Sequence, residues 1–200
     1  MQYTNELGRK AIHLGSSIFP LVYLFLSRDV MLGILGGLVL LALALESLRH
    51  SLSTARAFFQ RWLGHLFRDF EHSTLVGATY VALGCFLSVL LFPRLTAVTV
   101  MLFLSVSDAL ASLVGMKFGR ARFLDKSLAG SAAFFASALV LALLVLRHAP
   151  LAAAVGAAVA TIVEALPLRI GRFKLDDNLV IPLASGLAIS AVQASPLLSA

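Results

Sequence analysis

Apolar positions run through this chain in seven long blocks, about Ala11–Leu26, Val30–Leu45, Leu75–Phe92, Leu95–Val114, Leu128–Leu146, Leu151–Leu166 and Leu179–Leu197, with the polar residues gathered between them. A helix needs about 20 mostly apolar residues to cross the hydrocarbon core of a bilayer. In lipid, moreover, a helix satisfies every backbone polar group within its own segment. The pattern therefore predicts an all-α, polytopic integral membrane protein with about seven transmembrane helices, forming one domain over residues 1–200. The stretch from Glu46 to Ser73 is different: Leu48, Leu52, Ala55, Phe59, Trp62, Leu66 and Phe70 recur every three or four positions, while Arg49, Arg56, Arg61 and Arg68 fall elsewhere on the wheel. This predicts a basic amphipathic helix in the headgroup layer between the second and third spans, either a plain interfacial anchor or also the border of a lipid entrance.

Composition agrees with lipid as the main solvent. The chain is 60% hydrophobic and 13% charged, against about 25% charged in soluble domains, and its mean hydropathy is +0.94. A net charge of +6 would point to nucleic acid in a soluble protein, but here the placement of the charges is what informs. Thirteen of the sixteen basic residues fall on alternate connections and the N-terminal segment, leaving Arg28, Arg94 and Arg147 for the other side. By the positive-inside rule the N-terminus and the three long connections face the cytoplasm, and no nucleic-acid partner is expected. The first block lacks a small-residue cleavage site and is followed by further spans, so it is expected to remain as a span. Cys85, the single cysteine, lies inside an apolar block, which leaves no intramolecular disulfide and no cysteine metal cluster.

Against this background a few polar residues carry candidate chemistry. Glu6, Arg9, Lys10 and His13 share one helical face at the start of the first span, with His13 deepest. Asp108 sits in an otherwise apolar span, where a carboxylate costs about 2.5–3.5 kcal/mol on insertion scales. It is read either as a site residue or as a structural partner of an arginine. Lys117, Arg120, Lys126, Ser127, Gly130 and Ser131 follow, and basic side chains with free N–H groups at a helix start suit a phosphate. No Walker P-loop is present. Glu164 and the run Asp176-Asp177-Asn178 close the set with oxygen donors suited to Mg²⁺, although such residues also cap helices. Arg68, Glu71 and Gly77-Ala78-Thr79-Tyr80 lie at the entry of the third span, on the same side as the other clusters.

In these residues the chain resembles the CTP-dependent lipid-alcohol kinases, the family of dolichol kinase, phytol kinase and the yeast-type diacylglycerol kinase. The resemblance runs from Glu6-Leu7-Gly8-Arg9-Lys10-Ala11-Ile12-His13 through Glu71 and Gly77–Tyr80 to Ser107-Asp108-Ala109-Leu110-Ala111 with Gly115 and Phe118-Gly119. It continues in Lys126-Ser127-Leu128-Ala129-Gly130-Ser131, Glu164 and Asp177-Asn178-Leu179 with Pro182. Ser107 and Ala129 depart from the expected glycine and glutamate. The resemblance implies transfer of the γ-phosphoryl group of CTP to the hydroxyl of a membrane lipid alcohol: a polyprenol or dolichol, a phytol-like isoprenoid or a diacylglycerol. It implies Arg9, Lys10, Lys117, Arg120, Lys126, Ser127, Gly130 and Ser131 for the nucleotide, with Asp108, Asp177 and Asn178 for Mg²⁺. Asp108, His13 and Lys126 are the catalytic candidates, either Asp108 or His13 accepting the alcohol proton, and Glu6, Glu71, Glu164 and Asp176 are further candidates.

Two other readings compete. A CTP:phosphatidate-type cytidylyltransferase also joins CTP, Mg²⁺ and a lipid, but releases pyrophosphate. A small transporter would show two related halves and polar groups toward both faces, whereas the far-side connections here are short and carry only three arginines.

Overall fold

The computed structural model describes residues 3–63, 75–167, 169–170 and 173–195. Ten α-helices are present among them: α1 Tyr3–Gly15, α2 Ile18–Tyr23, α3 Arg28–Ser51, α4 Ser53–Leu63, α5 Gly77–Leu91, α6 Arg94–Leu102, α7 Asp108–Phe118, α8 Leu128–Val145, α9 Pro150–Ala165 and α10 Asp177–Ala194. A π-helical segment, Phe103–Ser107, joins α6 to α7 without a break, so that Arg94–Phe118 is one continuous rod of 25 residues. Four helical units are long and apolar enough to cross a membrane, namely α3, this rod, α8 and α10; α5 and α9 are shorter apolar helices.

The rod is the centre of the bundle. In its most apolar window 72% of residues are buried, against 22%, 28% and 33% in α3, α8 and α10. Val98, Met101, Phe103 and Leu104 are fully enclosed, together with Phe134 from α8 and Ile181 and Ile189 from α10. Leucines turned outward on α3 and α8, such as Leu40 and Leu144, are exposed, the inverse of a soluble surface and the expected state of a lipid-facing one. Association of such helices depends on close packing of small residues rather than on expulsion of water. Ala153, Gly156, Ala157 and Ala160 supply that on α9, which packs against both α8 and α10. Gly84 on α5 does the same against α10, where a Cβ would collide with the backbone oxygen of Asn178.

Four expectations are revised. The first apolar block is not one continuous helix: the chain turns at Ser16 and Ser17, whose hydroxyls donate to the carbonyls of His13 and Leu14 at 2.6 Å, and Pro20 follows in α2. Local side-chain bonds of this kind compete with helix continuation. The amphipathic stretch is also divided. Its first residues extend α3 to Ser51, α4 covers Ser53–Leu63, and Leu66, Arg68, Phe70 and Glu71 lie outside the described residues. Arg49, expected on a solvated face, is instead buried, its Nε and Nη2 donating to Glu46 Oε2 at 2.8 and 2.5 Å. Finally, two minimal antiparallel hairpins interrupt the helices: β1 Arg122–Phe123 with β2 Lys126–Ser127, and β3 Arg169–Ile170 with β4 Phe173–Lys174.

Candidate active site

The alternation of the helices brings the ends of α3, α7 and α9 and the starts of α5, α8 and α10 to one end of the bundle, and α1 joins them by packing against α7 and the π segment. Asp108 is the first residue after the π segment. A π turn is a costly local widening that recurs at functional sites; here it immediately precedes the one carboxylate on the central rod. Asp108 is 3% exposed, and its charge is met by α1: Lys10 Nζ donates to Oδ2 at 2.5 Å, and His13 Nδ1 stands 3.4 Å from the same oxygen. The structural partner of Asp108 is thus a lysine and a histidine rather than an arginine. His13 Nδ1 and, next to Asp108, Ser107 Oγ are buried without a hydrogen-bond partner, which is unusual for buried polar atoms.

A second ionic group adjoins the first. Lys126 Nζ lies 3.0 Å from Glu164 Oε1 and 3.9 Å from Asp177 Oδ2, and Ser131 Oγ donates to Glu164 Oε2 at 3.4 Å. The hairpin that carries Lys126 is anchored beside Glu164 by the Asp125 N–H donating to the Ala165 carbonyl at 3.0 Å. Its turn holds Leu124 at φ 52°, in the left-handed region. Burial alone would push the Lys126 ammonium down, but the carboxylates of Glu164, Asp177 and Asp108 outweigh it and hold its pKa above the ordinary 10.5. Asp177 also acts electrostatically on His13, as does Arg9, so the two groups form one field of alternating charge.

The remaining predicted residues divide. Ser127 caps α8, its Oγ accepting from the Gly130 N–H at 3.1 Å, and Gly130 packs closely against the Ala111 carbonyl. Asp176 caps α10 by accepting from the Asn178 N–H at 3.0 Å, and the Asn178 amide nitrogen reaches the Gly77 carbonyl at 3.5 Å. Lys117 and Arg120 are exposed, with Lys117 Nζ 5.3 Å from the centre of the Phe118 ring. The side chain of Glu6 and the whole of Glu71 lie outside the described residues. Among the described residues no three His, Cys, Asp or Glu side chains converge as a cation cage.

Glu46 is a buried carboxylate that belongs to none of the sequence clusters. It is buried beside Arg49, and its Oε1 accepts the Val76 N–H at 2.7 Å and the Thr79 hydroxyl at 3.3 Å, capping α5 from another helix. Its only sequence signal is a carboxylate that ends an apolar block with an arginine three residues on. Tyr80 lies within electrostatic range of both Glu46 and Asp176, linking this pair to the ionic groups around α10.

Fold and site together define an all-α membrane protein with a buried cluster of ionisable groups at one end of its bundle. Over 143 residues the chain is 37% identical to the uncharacterized protein RP860 of Rickettsia prowazekii (strain Madrid E), a match covering 70% of each chain. The chain belongs to the same family as that protein. No family model and no solved structure matches it.

Proposed function

We propose that this protein transfers the γ-phosphoryl group of CTP to the hydroxyl of a membrane lipid alcohol at the cytoplasmic face, yielding CDP and a lipid monophosphate. The observation that supports this reading is a pair of adjoining ionic groups, Asp108 beside His13 and Lys10, and Lys126 within reach of Glu164 and Asp177. Phosphoryl transfer asks a protein for little covalent chemistry and for much positioning and charge neutralisation. Lys126, a permanent cation half-open to the aqueous side, is suited to a transferring phosphate, and Arg9 and Lys10 add positive charge from α1. Asp108 or His13, next to each other on adjoining helices, receives the hydroxyl proton. Mg²⁺ carried in on a nucleotide is commonly held by only one or two carboxylates plus phosphate oxygens. Asp177, the more open of the acids around Lys126, fits that task, with Asp108 as the second candidate. Bound there, the ion would neutralise charge on the phosphates.

Thirteen of the sixteen basic residues fall in the N-terminal segment and alternate connections of the sequence, which supports a cytoplasmic orientation for this end. The test is incubation of the purified protein with γ-labelled CTP or ATP, Mg²⁺ and phytol, farnesol, a polyprenol or diacylglycerol. A labelled lipid phosphate with release of CDP is expected. Pyrophosphate with a CDP-lipid would replace the kinase by a cytidylyltransferase, and no nucleotide turnover with any alcohol would overturn the reading.

A further inference from the structure

A cavity of about 490 Å³ lies beside the ionic cluster, on the other side of α1. Its walls come from α1 and α2 (Ile12, Phe19), α3 (Leu38, Ala42), α4 (Phe59) and α5 (Ala82), and are almost wholly apolar. Polar groups line it chiefly at one end, where Glu46, Arg49 and Thr79 stand, and this is the end of the bundle that holds Asp108 and Lys126. Ile12, Ile18 and Leu41, which also line it, are about half exposed on the lipid-facing surface, so the cavity opens sideways toward the bilayer. The helix between the two compartments faces both: Ile12 and Ser16 line the cavity while Lys10 and His13 reach Asp108.

From this arrangement we infer that the cavity is the binding site of a single-chain lipid alcohol, its tail among α1, α3 and α5 and its hydroxyl emerging past the polar end, at the end of the bundle that also holds Asp108 and His13. The inference rests on the kinase reading for the fate of that hydroxyl, but not for the binding itself. The occupant's chemistry follows from the walls: an apolar lining asks for a hydrocarbon, a lateral opening for a molecule already dissolved in the bilayer, and a polar end for one hydrogen-bonding headgroup. Size selects further. At about 30 Å³ for each water-sized group, the cavity holds on the order of sixteen carbon-sized groups, enough for one short prenyl or alkyl chain or the first part of a longer one. That is the volume of one such chain rather than of the two long acyl chains of a diacylglycerol, which ranks a single-chain alcohol first.

The experiment uses the full chain in nanodiscs with a diazirine-bearing farnesol analogue, without nucleotide, and maps the crosslinks by mass spectrometry. Crosslinks concentrated on the segments around Ile12–Phe19 and Val76–Ala82, competed by farnesol and not by dioleoylglycerol, are expected. Ala42→Phe and Ala82→Phe, each placing a ring in the cavity, are expected to lower labelling about tenfold while binding of a fluorescent CTP analogue at the ionic cluster stays unchanged. Crosslinks spread evenly over all lipid-facing helices, or equal competition by dioleoylglycerol, would overturn the inference, and the wild-type map decides this even if one variant does not fold. Specific crosslinking without any phosphorylation would leave the cavity assignment standing and remove the kinase reading. Phosphorylation of farnesol with unchanged rates in both Phe variants would do the reverse.

Discussion

Lys10 Nζ and Asp108 Oδ2 meet at 2.5 Å across 98 residues of sequence, both buried, one on the amphipathic α1 and the other on the central rod. Removing one partner of a buried ion pair leaves the other charge uncompensated and costs about 3–5 kcal/mol, whereas replacing both costs far less. Lys10→Met is therefore expected to lower the thermal stability of the protein in detergent sharply, and Lys10→Met with Asp108→Asn to recover most of it. Asp108→Asn alone leaves the Lys10 ammonium without its carboxylate and should lower stability as well, and the folded protein should lose turnover by about a hundredfold or more, as expected for loss of a proton acceptor or metal ligand. Retained activity in a folded Asp108→Asn protein would make the pair purely structural.

Lys126 gives a prediction in pH. Its folded-state pKa is raised above 10.5 by Glu164, Asp177 and Asp108. A raised basic group contributes stability that is fully present below the unfolded value and is lost as pH rises through the folded one. The stability difference between the wild type and Lys126→Met should accordingly be constant from about pH 7 to about pH 9, and close only in strongly alkaline solution. Chemical denaturation of both proteins across that range checks it; a gap that narrows near neutral pH would contradict the charge on Lys126. Nucleotide affinity should fall about tenfold in Lys126→Met, the scale of one lost charge-assisted contact.

How much of this was legible beforehand depended on the physics behind each feature. Spans from Val30 to Leu45 and from Leu95 to Val114 were visible because lipid imposes a length and a composition on any helix that crosses it, and both are found within α3 and the central rod. Asp108 stood out for the same reason, as the carboxylate that composition could not excuse. The break at Ser16–Ser17 is invisible to hydropathy, which does not weigh Pro20, whose missing N–H and bulky ring disfavour a helix running through Ser16. Arg49 falls on the polar side of the expected amphipathic helix, and its burial beside Glu46 rests on a partner that a helical wheel does not count. Spacing likewise grouped Lys117 and Arg120 with Lys126, yet only Lys126 is drawn in, by a hairpin whose turn has no glycine to announce it.

Glu46 allows two losses to be separated. Glu46→Gln keeps an oxygen able to accept the Val76 N–H but removes the Glu46 charge from beside Arg49, while Glu46→Ala removes both functions. Because an unsatisfied buried donor costs about 1–3 kcal/mol, the Ala variant should be less stable than the Gln variant by about that amount. Backbone hydrogen exchange at Val76–Thr79 should rise in the Ala variant beyond its level in the Gln variant. Equal exchange in both would show that the start of α5 does not depend on this bond.

Leu124 lies in the turn of the hairpin that carries Lys126, in a backbone conformation that leucine rarely adopts, φ 52°. Such a residue carries about 1–3 kcal/mol of strain, which a β-branched side chain would increase and a glycine relieve at the expense of unfolded-state entropy. The Leu124 side chain is 53% exposed, so truncating it forfeits little packing. Leu124→Gly should therefore be close to neutral in stability, and Leu124→Val destabilising by about 1–2 kcal/mol. If the hairpin is what aims the ammonium at Glu164, the Val variant should also bind nucleotide more weakly, approaching the Lys126→Met protein. Stability loss in Leu124→Val with full nucleotide affinity would show instead that the ion pair with Glu164 alone keeps Lys126 in place.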